Sequence, residues 1–176
     1  PFLTGAACPF GARQSLARVV VPHGVFVGDN AFQGTAGGYY QVMWPSYPCA
    51  PTIVIGMGET SIPASGFREC TVLQNISIPP SVTSVGERAF EGCWSLTAVT
   101  LPVGVTSLPD SVFKQCSSLT SVTFEGNVTS LGRSMFMDAD ALTSFTVPDS
   151  VTSVGSDMFR FCDSLTHVHL PDGVTE

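Results

Sequence analysis

Lysine is almost missing from this chain. The 176 residues contain one, Lys114, and Lys plus Arg number 7 against 14 Asp plus Glu. At a formal charge of −7, no basic field exists to hold nucleic acid or anionic lipid. Charged residues of both signs make up only 12%, yet no uninterrupted apolar run approaches the ~18 residues that a membrane-spanning helix requires. Catalytic signatures are missing too: there is no G-x-S-x-G, H-E-x-x-H or C-x-x-C. Gly56-Met57-Gly58 is an isolated GxG without the strand-to-helix setting that cradles a phosphate. An enzyme is therefore not expected, nor a cofactor, nor a nucleic-acid partner, nor a membrane span.

What is present is a period. Residues 55–77, 78–100, 101–123, 124–146 and 147–169 are five successive copies of 23 residues, and 170–176 opens another. A fixed period of this size means stacked units, none of which can bury its apolar face alone. Position 13 of each copy is Phe (Phe67, Phe90, Phe113, Phe136, Phe159) and position 19 is Leu (Leu73, Leu96, Leu119, Leu142, Leu165). Position 22 holds Ile76, Val99, Val122, Phe145 and Val168, and position 8 holds Ile62, Val85, Leu108, Leu131 and Val154. Large apolar groups repeated in register predict a column in which each packs on its equivalent one layer away.

From position 19 into the next copy the chain reads as in Leu96-Thr97-Ala98-Val99-Thr100-Leu101. Alternation of apolar residues with Thr predicts a half-buried strand. A proline usually ends it (Pro79, Pro102, Pro148, Pro171), whereas Phe124 is followed by Glu125. Since every copy returns the same way, neighbouring strands must be parallel. On the return, apolar residues at 85, 89, 90 and 93 have helical spacing over a length too short for a full α-helix. A single turn or 3-10 segment is expected there.

These residues resemble a known family. The run S-V-T-S-V-G-x-x-A-F-x-x-C-x-S-L-T-x-V-T-L-P at 81–102 is similar to the BspA-like (Treponema-type) leucine-rich repeat, and the likeness covers 55–176, about two thirds of the chain. It implies an α/β leucine-rich-repeat solenoid, with a parallel β-sheet on the concave side and short helical or 3-10 turns on the convex side. It also implies a protein-interaction module, often at a cell surface, used for adhesion or ligand recognition. The rival expectation is a structural subunit or spacer of a larger multiprotein assembly.

Residues 1–54 are less regular. Ser15 to Pro22 match Ser95 to Pro102, and residues 25–32 resemble 83–90, but the frame is lost after Gly34. This part reads as degenerate repeats continuous with the solenoid, interrupted by a Pro- and aromatic-rich stretch that is either a damaged copy or an insertion making contacts. The chain begins at Pro1 and ends inside a copy at Glu176, as expected of a processed protein or a piece of a longer array, or of a subunit whose end a partner covers.

Six cysteines invite a disulfide framework, but Cys70, Cys93, Cys116 and Cys162 share position 16, where Ala139 also stands. A position that takes Cys or Ala wants a small buried group, so four reduced thiols are expected. Cys8 and Cys49 lie outside that ladder, free or paired with one another.

The strand face turned from the core displays positions 20, 21 and 23. It presents Thr97, Thr100, Thr120, Thr123, Thr143, Thr146, His167 and His169, a hydroxyl-rich surface suited to a protein or glycan partner. Thr also suits exposed strands for its own sake, so the residue types alone name no ligand. His167 and His169 have a spacing metals can use, but no acidic residue or cysteine shares the face, and no metal is assigned. Asn75 and Asn127 head N-glycosylation sequons. Most charges fall on the return, as ordinary solubilising surface, alongside Trp94, Met137 and Phe161.

Overall fold

The computed structural model describes residues 19–21 and 51–174. The regular copies form five coils of a parallel β-solenoid, each placing a strand beside its equivalent 23 residues on. The inner strands are β1 (Val19–Val21), β2 (Thr52–Ile55), β4 (Asn75–Ser77), β6 (Ala98–Leu101), β8 (Ser121–Phe124), β10 (Ser144–Thr146) and β12 (His167–His169). Register follows the repeat: Val99 pairs with Val122, Thr100 with Thr123 and Phe145 with Val168. Strand β1 lies parallel to β2, with Val19 opposite Ile53. The degenerate repeats and insertion expected elsewhere in 1–50, and any Cys8–Cys49 bond, lie outside the described residues.

A second set of strands is only two residues long. These are β3 (Ser61–Ile62), β5 (Ser84–Val85), β7 (Ser107–Leu108), β9 (Ser130–Leu131) and β11 (Ser153–Val154), all parallel where they pair. Position 8 therefore faces the core from two short sheets of its own, β3-β5 and β7-β9-β11.

Between the two sets runs the aromatic column. Phe67, Phe90, Phe113, Phe136 and Phe159 stack nearly parallel, with centroids 5.3, 5.5, 5.9 and 5.7 Å apart. The first four are fully buried, together with Leu73, Leu96, Leu119 and Leu142. Spacings above the ~4.8 Å between strands suit the offset stacking that aromatic quadrupoles prefer.

The return departs from expectation: the described residues contain no helix. Positions 11 and 15 are left-handed in all five coils, with φ between 51° and 74° at Ser65, Glu69, Arg88, Gly92, Ser111, Gln115, Ser134, Asp138, Asp157 and Phe161. With a left-handed residue at each end of a three-residue stretch that is not left-handed, the amides of positions 11, 13 and 15 leave the coil and bond to the next one. Ser111, Phe113 and Gln115 donate to the carbonyls of Arg133, Met135 and Met137, at 2.8, 3.0 and 2.7 Å, and the same trio of bonds joins each coil to the next. A helix would spend those donors within its own turn. Left-handed backbone costs ~1–2 kcal/mol per non-glycine residue, and the inter-coil bonds and the core sealed beneath them offset it.

The inner sheet has a seam. It runs β1-β2-β4-β6-β8 and stops, while β10 and β12 form a separate pair. At the seam, position 22 is Phe145 instead of Ile or Val, and its ring meets Phe124 edge-on at 6.3 Å. The return ladder continues across this junction, as does the short-strand sheet β7-β9-β11, so the parting is confined to the inner side.

Candidate interaction surface

Strand alternation decides which groups reach solvent. Thr97, Thr100, Thr120, Thr123, Thr143, Thr146, His167 and His169 are all exposed, as are Asn75 and Asn127. The hydroxyls are not equivalent, however. At position 20, Thr97, Thr120 and Thr166 each donate to the carbonyl of the equivalent residue one coil back, at 3.4, 3.0 and 3.0 Å. Thr83, Thr129 and Thr152 do the same at the far corner of the coil. Those hydroxyl protons are already engaged in joining coils. At position 23, the hydroxyls of Thr100, Thr123 and Thr146 make no hydrogen bond to another described residue, so they remain open to a ligand as donor and acceptor. The seam divides the surface: Asn75, Ser77, Ala98, Thr100, Ser121 and Thr123 lie on one side, and Ser144, Thr146, His167 and His169 on the other.

Charge is gathered on the return. Glu91, only 7% exposed, receives three cations from three successive coils. Arg68 Nε lies 3.1 Å away, Lys114 Nζ 3.8 Å and Arg88 Nε 4.0 Å. Three of the chain's seven basic residues thus converge on one carboxylate, which the sequence reading missed. The signal available was position 14, where Arg68, Glu91 and Lys114 succeed one another. Trp94 and Phe161 are 57% and 55% exposed, and the Arg160 guanidinium lies 4.7 Å over the Phe161 ring. Met137 is half-buried.

The cysteines divide. Cys93, Cys116 and Cys162 are free thiols, and each donates to the carbonyl of the core Phe one coil back: Phe67, Phe90 and Phe136, at 3.1, 3.2 and 3.0 Å. Position 16 therefore wants a small donor, which Ala139 cannot supply. The expectation of four reduced thiols fails at Cys70, which is in a disulfide whose partner lies outside the described residues. Cys70 belongs to the first regular coil, so the coil that would receive its thiol is not a regular copy.

Burial pushes the Cys93 thiol from an ordinary 9.0 up to about 12. It pushes Cys116 well above its ordinary value too, burial first and the neighbouring Cys93 second. Such thiols are poor nucleophiles. Between pH 9.0 and about 12 the unfolded chain releases the Cys93 proton while the folded chain keeps it. The folded state then binds more protons, so stability is complete below that window and falls as pH rises through it. The slope is about 1.4 kcal/mol per pH unit. Urea unfolding at pH 8 and pH 10 should show wild type losing more than Cys93→Ala, by about 1 kcal/mol; equal losses would refute this.

Among the described residues, no three or more His, Cys, Asp or Glu side chains are grouped to hold a metal ion. No described helix is long and apolar enough to cross a membrane.

A family profile described as the BspA type leucine rich repeat region matches residues 50–166 in six copies. No curated protein matches the chain by sequence. Among solved structures, a leucine-rich repeat protein of T. pallidum is 30% identical, with a TM-score of 0.64, over 68% of this chain and 58% of its own. A leucine-rich cell surface protein of Faecalibacterium prausnitzii is 26% identical, with a TM-score of 0.59, over 88% of this chain and 48% of its own. The pneumococcal vaccine antigen PcpA shares the fold at a TM-score of 0.74 and 24% identity, over 93% of this chain and 42% of its own. The chain spans about half the length of these relatives.

Proposed function

The chain belongs to the BspA-type leucine-rich-repeat family, and we propose that it is a non-catalytic recognition module. It binds a protein or glycan through the exposed face of its inner sheet, at Thr97, Thr100, Thr120, Thr123, Thr143, Thr146, His167 and His169. We further propose that residues 1–54 form part of the same solenoid. One observation carries it: Thr100 and Thr123 stand in register on adjacent strands, exposed and with uncommitted hydroxyls. Groups fixed by a stacked core lose little freedom on binding, which removes part of the usual cost of association. The family also supports adhesion at a cell surface, where the Faecalibacterium relative is described. Asn75 and Asn127 stand exposed for glycan attachment in a host that glycosylates.

The face carries no Lys, Arg, Asp or Glu among its eight residues, so charge does not select the partner. Affinity for an immobilised extracellular glycoprotein or glycan ligand should change less than about threefold as salt rises from ~50 to ~500 mM. Thr123→Lys should reduce that binding at least about tenfold, by setting an unpaired charge in the contact. Asp140→Lys on the outer side should leave it unaltered. If instead Trp94→Ala abolishes binding and Thr123→Lys does not, the surface is on the other side of the coil.

The exposed Trp94 and Phe161 on the outer side favour a second reading, that of a structural subunit of a larger assembly. Light scattering after size exclusion separates the two: a monodisperse monomer supports the recognition module, and self-association relieved by Trp94→Ser supports the subunit.

A further inference from the structure

We propose that His167 and His169, with Thr166 as a positioning residue, form a two-nitrogen site for a divalent first-row transition metal ion, with Cu²⁺ the strongest binder. Both histidines are exposed and lie on one side of β12, two residues apart, which places their Cα atoms roughly 6.6 Å from each other. They stand opposite Ser144 and Thr146 of β10, small neighbours that leave room above the strand. Two imidazoles at this spacing converge on one ion from the same direction, and imidazole is a ligand suited to Cu²⁺, Ni²⁺ and Zn²⁺.

The hydrogen bonds beneath the pair supply what the sequence alone did not. The Thr166 hydroxyl lies 3.0 Å from the Thr143 carbonyl and 2.8 Å from His167 Nδ1. Its equivalent, Thr120, donates to the Thr97 carbonyl in the same geometry. With its one proton directed to Thr143, the Thr166 oxygen accepts from His167 Nδ1–H. The lone pair of His167 is therefore on Nε2, at the outer end of the ring. Metal-ligating histidines are commonly held in this way, one nitrogen donating to a fixed partner and the other left for the ion. The His169 imidazole makes no hydrogen bond to a described residue and is free to turn toward the same ion. Water or a second chain would complete the coordination, since no third protein ligand is grouped with the pair.

Metal uptake is a property of the chain alone, so it stands or falls separately from the recognition role. The test is titration of the whole chain with Cu²⁺, followed by calorimetry and by electron paramagnetic resonance. One ion per chain with two-nitrogen coordination is expected. His167→Ala and His169→Ala should each weaken uptake more than about tenfold. Both side chains are exposed, so circular dichroism of these variants should match wild type. Thr166→Val should weaken uptake about tenfold, and long-range ¹H–¹⁵N spectra of the metal-free chain should show His167 losing its Nδ1-protonated form. Thr120→Val removes the same inter-coil bond away from the pair and should leave uptake unchanged. Uptake that persists in the double His→Ala variant, or that Thr166→Val leaves intact, overturns the proposal.

Discussion

Replacing Phe113 with Ala is expected to lower stability by about 3–5 kcal/mol. The ring is fully buried, and it lies between Phe90 and Phe136 at 5.5 and 5.9 Å, with interplanar angles of 7° and 8°. Truncation removes the burial of a large side chain, two stacking contacts and the support each neighbour gives the next coil. Because a solenoid holds together through nearest-neighbour interfaces, the void cannot be closed by distant repacking. Phe159 offers an internal comparison. It stacks on Phe136 and touches Phe145, but it is only partly buried, so Phe159→Ala should cost clearly less. Chemical denaturation of both variants is the measurement. A loss below about 1 kcal/mol at Phe113 would mean the column does not hold the stack.

A change in the opposite direction should be as damaging. At Gly86, an added Cβ would lie 2.2 Å from the Ala64 backbone nitrogen and 2.6 Å from both Ala64 Cα and Pro63 C. Everything it meets is backbone of the preceding coil, so no side chain can rotate away. Gly86 also donates its N–H to the Ile62 carbonyl at 2.8 Å, next to the pairing of β3 with β5. Gly86→Ala must force the two coils apart at that point, and we expect a cost of about 3 kcal/mol or more, at the top of the range for overpacking. Gly173 is the control: a Cβ there meets nothing within 4 Å, so Gly173→Ala should shift stability by less than about 0.5 kcal/mol. Equal melting temperatures for wild type and Gly86→Ala would show that the coils are looser than these distances imply.

The stack was legible in the sequence because its core is spelled the same way in each copy. Phe at position 13 and Leu at position 19 gave the column, and the Thr alternation gave the inner strands with their parallel sense. The return was misjudged for a physical reason. Apolar residues at 85, 89, 90 and 93 have a spacing that a helical turn and this pleated return satisfy alike. The left-handed residues that tell them apart are mostly Ser, Asp, Glu, Gln, Arg and Phe, with Gly92 the one glycine among them. Their conformation is imposed by bonds to the next coil, which no local pattern announces. The two-residue outer strands escaped notice for the same reason. Of the candidate surface, exposure could be read from alternation, but the division between engaged and free hydroxyls could not. Thr at position 20 and Thr at position 23 are the same residue type, and only their distance to the preceding coil differs. The seam likewise depends on how Phe145 and Phe124 settle against each other.

The return ladder gives the solenoid an electrical direction. Each of its three bonded peptide units presents its carbonyl toward the preceding coil and its N–H toward the following one. Three files of peptide dipoles therefore run head to tail through the outer wall, adding up as they do along a helix. Their positive pole lies toward the higher-numbered coils and their negative pole toward the lower. Whatever closes the stack at one pole must offer electron pairs, and at the other must offer protons. The two termini of this wall are as different to a docking molecule as the two ends of a magnet.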